Sequence, residues 1–357
     1  MDKKLMLAVA GAGKTTYIIN KVCTEYKRVL IITYTDANYS NIISRLREKN
    51  DGVIPEGISV FKYFTFLYRF CYKPFLSDYV GARGINYESN RNRYAKSTNW
   101  DYYLDSSDRL YSNRISLLLD KTDAIKDVQN RIKKYFDCIV FDEVQDISGR
   151  DFTFLEEVMK IDMNMFYVGD FYQHTYNTSA DGNVNTSLFD NLNKYVERFE
   201  KAGVTYDDKT LIKSWRCGEP VCKYVREQLG INIYSNKGEQ GGVEFVDSDD
   251  KITEIWLNPE IVKLHYQKAS AFGSGHRNWG DTKGEDCYQD VCVLLNKTTM
   301  QAYKKGNLQN LAASTRNKLY VAITRAKGNV YLVEEDYAKK WRDRDEGWKD
   351  PCWNGSN

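Results

Sequence analysis

The sequence predicts an α/β chain built on mainly parallel sheets, and three observations predict it. A short apolar run, Leu5-Met6-Leu7, leads through a glycine-rich turn into a helical pattern. Apolar runs and helical patterns then alternate along most of the 357 residues, as they must where helices cover both faces of a parallel sheet. One later run, Cys138-Ile139-Val140-Phe141, delivers two acids, Asp142 and Glu143, at its C-terminal end. That end is where open parallel sheets carry their ligands. The length allows two ordinary domains with real cores.

The first element is the strand at Leu5–Leu7, followed by Ala8-Val9-Ala10-Gly11-Ala12-Gly13-Lys14-Thr15-Thr16. A helix is expected from Tyr17 to Tyr26, with Ile18, Ile19 and Val22 on one face. Gly11 and Gly13 let the backbone turn tightly and aim its N–H groups inward, where a phosphate chain can sit. The helix N-terminus adds partial positive charge. Lys14 can reach β- and γ-phosphates, and the Thr15 hydroxyl can ligate Mg²⁺. The candidate cradle is thus Ala10, Gly11, Ala12, Gly13, Lys14, Thr15 and Thr16.

Next come a strand at Arg28–Ile32, a helix from Asn38 to Glu48, a loop from Asp51 to Gly57 and a strand at Ile58–Phe61. The aromatic run Phe64–Tyr72 reads as a buried helix. From Lys73 to about Thr122 hydrophobic periodicity is weak until Ile115–Leu119. Arg83, Arg91, Arg93 and Lys96 are interleaved there with Tyr87, Tyr94, Trp100, Tyr102 and Tyr103. This stretch is either a small inserted subdomain touching a nucleic-acid strand by charge and stacking, or a solvated, tyrosine-rich insertion diluted by Glu88, Asp101 and Asp105. Regular structure resumes with a helix over Ala124–Tyr135, the Cys138–Phe141 strand, a helix over Asp151–Lys160 and a strand at Met165–Val168. Polar and glycine residues around Lys201–Lys209 suggest a domain joint. Beyond it the pattern predicts a helix at Val221–Leu229, a strand at Val243–Val246, a helix at Ile261–Gln267, a strand at Val291–Leu295, a helix at Arg316–Ala326 and a strand at Asn329–Val333.

Bulk composition narrows the classes. Basic and acidic residues number 51 and 49, for a net charge of +2, which excludes a strongly basic nucleic-acid protein and confines any such contact to a local surface. No apolar run approaches transmembrane length, so no membrane partner is expected. The chain enters its first strand almost at once, so no signal peptide is expected. Eight cysteines are scattered without a Cys-x-x-Cys pair, which favours free buried thiols in a reducing cytoplasm.

The acids after the Cys138–Phe141 strand fit nucleotide hydrolysis. Asp142 would hold Mg²⁺, directly or through water, and Glu143 would take the proton of the attacking water. Here the sequence resembles superfamily 1 helicases of the UvrD/Rep/PcrA type. The Ala-x-Ala-Gly-x-Gly-Lys-Thr loop and Asp142-Glu143-Val144-Gln145-Asp146 carry the resemblance, together with Thr33-Tyr34-Thr35-Asp36-Ala37, Val168-Gly169-Asp170-Phe171-Tyr172-Gln173-His174-Thr175-Tyr176, Ser214-Trp215-Arg216, Thr282-Lys283-Gly284 and Leu319-Tyr320-Val321-Ala322-Ile323-Thr324-Arg325-Ala326. These stretches stand in the family's order and span Ala8 to Lys327.

The resemblance implies two RecA-like P-loop NTPase domains with a small insertion in the first, and an ATP–Mg²⁺ site in the cleft between them. It places the first domain at 1–62 and 121–205, the insertion at 63–120 and the second domain at 206–357. It makes Gln173 a γ-phosphate sensor, Arg216 and Arg325 arginine fingers, Asp286 the ribose contact, and Trp215 either the adenine stack or a core residue. Tyr34, Phe64 and Tyr176 become candidates for stacking on single-stranded DNA. Four departures stand out. The upstream glutamine motif that reads adenine is missing; Thr178 and Ser179 replace the family's Trp and Arg; Asp286 stands for Glu; and 216–282 is too short for the large accessory insertion. The implied activity is ATP-driven movement on single-stranded DNA, 3′ to 5′, with weak unwinding. The alternatives are a DNA-stimulated ATPase that translocates without unwinding, a P-loop phosphotransferase, and a regulatory nucleotide switch.

Overall fold

The computed structural model describes residues 1–92, 94–175 and 184–341, the side chains of 339–341 excepted. By packing, the described residues of 1–6, 14–169 and 177–207 form one unit, and those of 7–13, 170–176 and 208–357 form a second. Each unit is built on a parallel sheet.

The strands of the first unit are β1 (Lys3–Leu7), β2 (Val29–Thr33), β3 (Ile58–Lys62), β4 (Gly84–Asn86), β5 (Arg109–Tyr111), β6 (Cys138–Asp142), β7 (Asn164–Gly169) and β8 (Thr205–Asp207). Six of them make one sheet in the order β3-β2-β6-β7-β1-β8. Every residue of β2 and β6 is buried, which is why these strands read as continuous apolar runs rather than as alternation. The helix after β2, Asp36–Lys49, starts where the Thr35 hydroxyl accepts the Asn38 N–H at 3.2 Å.

The aromatic run after β3 is helical, but it does not stop at Tyr72. A π-helical turn at Phe66–Tyr72 buries Phe66, Leu67, Phe70, Cys71 and Tyr72 and passes into a helix at Lys73–Val80. Pro74 sits in the first turn of that segment, where its missing N–H costs little. Between this helix and Ile115–Lys121, β4 and β5 pair in parallel as a separate two-stranded ribbon.

The second unit carries β9 (Lys213–Ser214), β10 (Tyr234–Ser235), β11 (Val243–Phe245), β12 (Val262–His265), β13 (His276–Asn278), β14 (Val291–Leu295) and β15 (Val330–Glu334). Its main sheet runs β11-β15-β14-β12-β13, all parallel. The helix expected at Ile261–Gln267 is therefore strand β12. Its polar members hid the pattern, because both are buried. The Lys263 ammonium donates to the Asn258 carbonyl at 2.7 Å, and His265 Nε2 meets His276 Nδ1 at 2.8 Å. A helix at Asp249–Leu257, not expected from the sequence, packs Ile252, Ile255 and Trp256 against Cys292 and Leu294 of β14.

Cys23, Cys71, Cys138, Cys217, Cys222 and Cys292 are free, whereas Cys287 is disulfide-bonded. This corrects the expectation of free thiols for that residue: the fold, not the spacing along the chain, decides which sulfurs meet. Among the described residues no helix is long and apolar enough to cross a membrane.

Candidate active site

The phosphate loop begins where β1 ends. Gly11 and Gly13 both take left-handed backbone angles, with φ of 72° and 82°, which a side chain would strain. Gly11 is also pinned by close approach. A Cβ there would lie 2.7 Å from Arg216 Cβ and 2.8 Å from Ser214 Oγ. The Trp215 N–H donates to the Gly11 carbonyl at 2.9 Å, and the Val9 N–H donates to the Leu211 carbonyl at 2.9 Å. The first half of the loop is thus fastened, within the second unit, to the segment that presents Arg216.

Lys14 and Thr15 open the helix that follows. The Lys14 ammonium lies 3.2 Å from Glu143 Oε1, with both side chains about 12% exposed. Glu143 sits at φ 55°, a left-handed turn at the end of β6. Its second oxygen accepts from Gln145 Nε2. Gly169 makes room for that arrangement, since a Cβ at 169 would fall 2.2 Å from Gln145 Oε1. Thr16, by contrast, is exposed, and its hydroxyl accepts from Arg45 at 2.8 Å.

Asp142 is buried beside Glu143. One oxygen accepts from the Thr33 hydroxyl at 3.2 Å, and the other, Oδ1, is buried without a partner. Burial, together with the charge of Glu143, pushes its carboxyl up to about 7. A buried carboxylate oxygen that no protein group satisfies suits a divalent cation, which would supply the missing positive partner. The donor set of Asp142 and the Thr15 hydroxyl is oxygen only, as Mg²⁺ requires.

The second unit holds the remaining candidates. Arg216 is 9% exposed, pairs through Nε with the Asp286 carboxylate and donates from Nη1 to the Thr324 carbonyl at 3.0 Å. Asp286, expected at a ribose, is thus the partner of Arg216. Arg325 is 1% exposed. It donates to the carbonyls of Thr282 and Glu285 at 3.0 Å and of Val321 at 3.2 Å, and Nη2 is left buried without a partner. Burial, then the neighbouring Arg216 charge, lowers its guanidinium to about 10. Trp215 is 65% exposed, so it is not a core residue. Gln173 donates from Nε2 to Asp170 Oδ2 at 2.9 Å.

Sequence reasoning quoted Asp170 and Tyr320 without giving either a role. Asp170 caps the turn that presents Gln173, accepting the Tyr172 N–H at 3.1 Å. The Tyr320 hydroxyl donates to Asp170 at 2.9 Å and accepts the Ala10 N–H at 2.8 Å.

Of the stacking candidates, Tyr34 and Phe64 meet edge-on at 5.5 Å. Tyr63 stacks on Tyr34 at 5.9 Å, and Tyr87, 64% exposed, meets Phe64 at 6.0 Å. Tyr176, Thr178 and Ser179 lie outside the described residues, as does Arg93. In the insertion, Arg83 pairs with Asp108 at 3.6 Å, Arg91 with Glu88 at 3.5 Å and Arg109 with Asp105 at 2.7 Å. These pairs favour the solvated reading of that stretch.

No protein-family model matches the chain, and no curated protein matches it. Solved structures similar to the chain include two of one viral helicase. The arterivirus nonstructural protein 10 helicase in complex with DNA is 14% identical, with a TM-score of 0.51 over 95% of this chain and 62% of that one. The same arterivirus helicase by itself is 14% identical, with a TM-score of 0.49 over 96% and 62%. At this identity the likeness is one of fold: two RecA-like α/β domains with parallel sheets, as in a helicase. The chain spans 62% of the length of these neighbours.

Proposed function

We propose that the chain is a superfamily 1 motor of the UvrD/Rep/PcrA type, which hydrolyses ATP with Mg²⁺ to move along single-stranded DNA. The observation that carries the reading is the pairing of Lys14 with Glu143 beside the unpartnered Asp142 Oδ1. A phosphate-binding cation, a general base and a metal-binding carboxylate meet at the end of one central strand. Mg²⁺ held by Thr15 and Asp142 would neutralise phosphate charge.

The chain's own residues do the rest. Lys14 exchanges Glu143 for the β- and γ-phosphates. Glu143 then takes a proton from the attacking water, while Gln145 limits the movement of its carboxylate. Arg216, beside Gly11, offers its planar fork to the charge that develops on the transferred phosphoryl group. Arg325 acts through Nη2, its other nitrogens being committed to carbonyls. Trp215 stacks on the base, and Tyr34 and Phe64 offer aromatic surface to unpaired nucleotides.

The deciding experiment measures ATP hydrolysis alone, with single-stranded DNA and with RNA. Stimulation by DNA is expected. Hydrolysis that neither polymer changes would turn the reading toward a phosphotransferase. Movement from 3′ to 5′ is read by block displacement from a 3′-tailed duplex; displacement only from a 5′ tail would overturn the polarity.

A further inference from the structure

The helix Ala313–Ile323 grips the segment 170–174 at three places along one face. The Arg316 guanidinium lies 5.4 Å from the Tyr172 ring centre, Asn317 Nδ2 donates to the His174 carbonyl at 3.2 Å, and Tyr320 reaches Asp170. Residues 316, 317 and 320 are spaced to share a helix face. Tyr320 is fully buried, and so is Ala10. The direction of each hydrogen bond at its hydroxyl follows from the partners. Ala10 N–H can only donate, so the phenol oxygen accepts it at 2.8 Å. The phenol proton then goes to Asp170 Oδ2 at 2.9 Å. That same oxygen accepts Gln173 Nε2 at 2.9 Å, while Oδ1 takes the Tyr172 N–H at 3.1 Å. A carboxylate only accepts, so the amide nitrogen of Gln173 is committed to it and the amide oxygen is the end left for other work.

We infer that Tyr320 is a positioning residue that ties the backbone of the phosphate loop at Ala10 to the side chain of Gln173 through Asp170. The loop and the Gln173 amide are set by one continuous chain of hydrogen bonds, so neither shifts without disturbing the other. The inference rests on the proposed NTP hydrolysis, in which Gln173 works at the γ-phosphate. Removing the phenol oxygen strands a buried N–H and takes one donor from Asp170. The ring itself stays packed, since Tyr320 meets Tyr172 edge-on at 6.1 Å through its aromatic face.

The test is a cycle of Tyr320→Phe, Gln173→Ala and the double variant, with kcat and KM measured for ATP at saturating single-stranded DNA and folding followed by thermal melting. Tyr320→Phe is expected to lower kcat about tenfold to a hundredfold, the range for a lost hydrogen bond to a charged group, with KM changed by less than about threefold. In the Gln173→Ala background the same change should cost clearly less than in wild type, because only the phosphate-loop end of the link is left to disturb. Losses that multiply in the double variant overturn the inference, as does a Tyr320→Phe enzyme with wild-type kcat. A purely structural role would lower the melting temperature and raise KM and kcat defects together, in both backgrounds. If Tyr320→Phe fails to fold, Asp170→Asn replaces it in the cycle; it keeps the shape and sets an amide donor against Gln173 or Tyr172, and multiplicative losses there also overturn the inference. A wild-type chain that hydrolyses no nucleotide overturns the functional reading itself, an outcome distinct from active wild type beside an unaffected Tyr320→Phe.

Discussion

Replacing Glu143 by Gln should abolish turnover and, at the same time, tighten nucleotide binding. Lys14 and Glu143 stand 3.2 Å apart with little exposure. At an effective dielectric of about 20 their attraction is on the order of 5 kcal/mol. A nucleotide must draw Lys14 away from that partner before the ammonium can serve the phosphates, so part of the binding energy is spent on the exchange. Glutamine is nearly isosteric, keeps an acceptor for Gln145 or a donor in its place, and removes the charge. If half of the gross attraction is recovered, ATP affinity rises by about 2.5 kcal/mol, or roughly seventyfold. Lys14→Ala should do the opposite, losing the phosphate contact and leaving Glu143 facing the incoming anion.

The assay is equilibrium titration of a fluorescent ATP analogue against wild type, Glu143→Gln and Lys14→Ala, with Mg²⁺, at low and moderate salt. Because the pair is largely shielded, the gain for Glu143→Gln should persist as salt rises. Unchanged or weaker binding by Glu143→Gln would show that Glu143 does not restrain Lys14. Near-normal turnover by the same variant would remove Glu143 as the base.

Arg216→Ala should lower kcat by about 10³-fold or more, as loss of such a charge does in phosphoryl transfer, with melting little changed; an unaltered kcat would sink the finger assignment. Tyr34→Ala and Phe64→Ala should each weaken single-stranded DNA binding by about 1–3 kcal/mol at fixed salt, measured by fluorescence anisotropy, and no loss in either would remove the aromatic surface from the DNA path. Acid should destabilise the second unit through its histidine pair. Burial, then its neighbour's charge, holds His265 down to about 3, and burial, then Lys263 and Arg277, holds His276 down to about 4. Both rings fold neutral and protonate on unfolding, so their contribution is complete above about 6.5 and is lost as pH falls toward 4. At pH 5 the cost is about 2 kcal/mol per ring. Urea unfolding at pH 7.5 and 5 reads it, and a flat stability across that interval would refute it.

The strands that carry the chemistry were legible because they are buried on both faces. Val29–Thr33 and Cys138–Asp142 read as apolar runs ending in polar residues, and the structure sets Thr33 against Asp142 where they end. Strand β12 was not legible, since Lys263 and His265 look like a solvent face and are buried by partners that no local pattern announces. The helix Lys297–Lys304 had a signal that went unused: Asn296 caps it by accepting the Thr299 N–H at 3.0 Å. The link from Tyr320 to Ala10 spans 310 positions. The octet around Arg325 marked Tyr320 as part of a motif, but only the fold shows what its hydroxyl holds.

Two charge pairs, Lys14 with Glu143 in the first unit and Arg216 with Asp286 in the second, differ in exposure. Lys14 and Glu143 are each about 12% exposed, whereas Asp286, the partner of Arg216, has a side chain 67% exposed. Water reaches the Asp286 carboxylate of the second pair more than either member of the first, although Arg216 itself is buried. Arg216 can therefore exchange Asp286 for a phosphate oxygen at small cost, with the freed carboxylate simply hydrating. Lys14 cannot leave Glu143 so cheaply, because the carboxylate it abandons stays shielded until a water or a cation reaches it. On the proposed function, Glu143 would therefore be unmasked only when the phosphates are already in place to take the lysine.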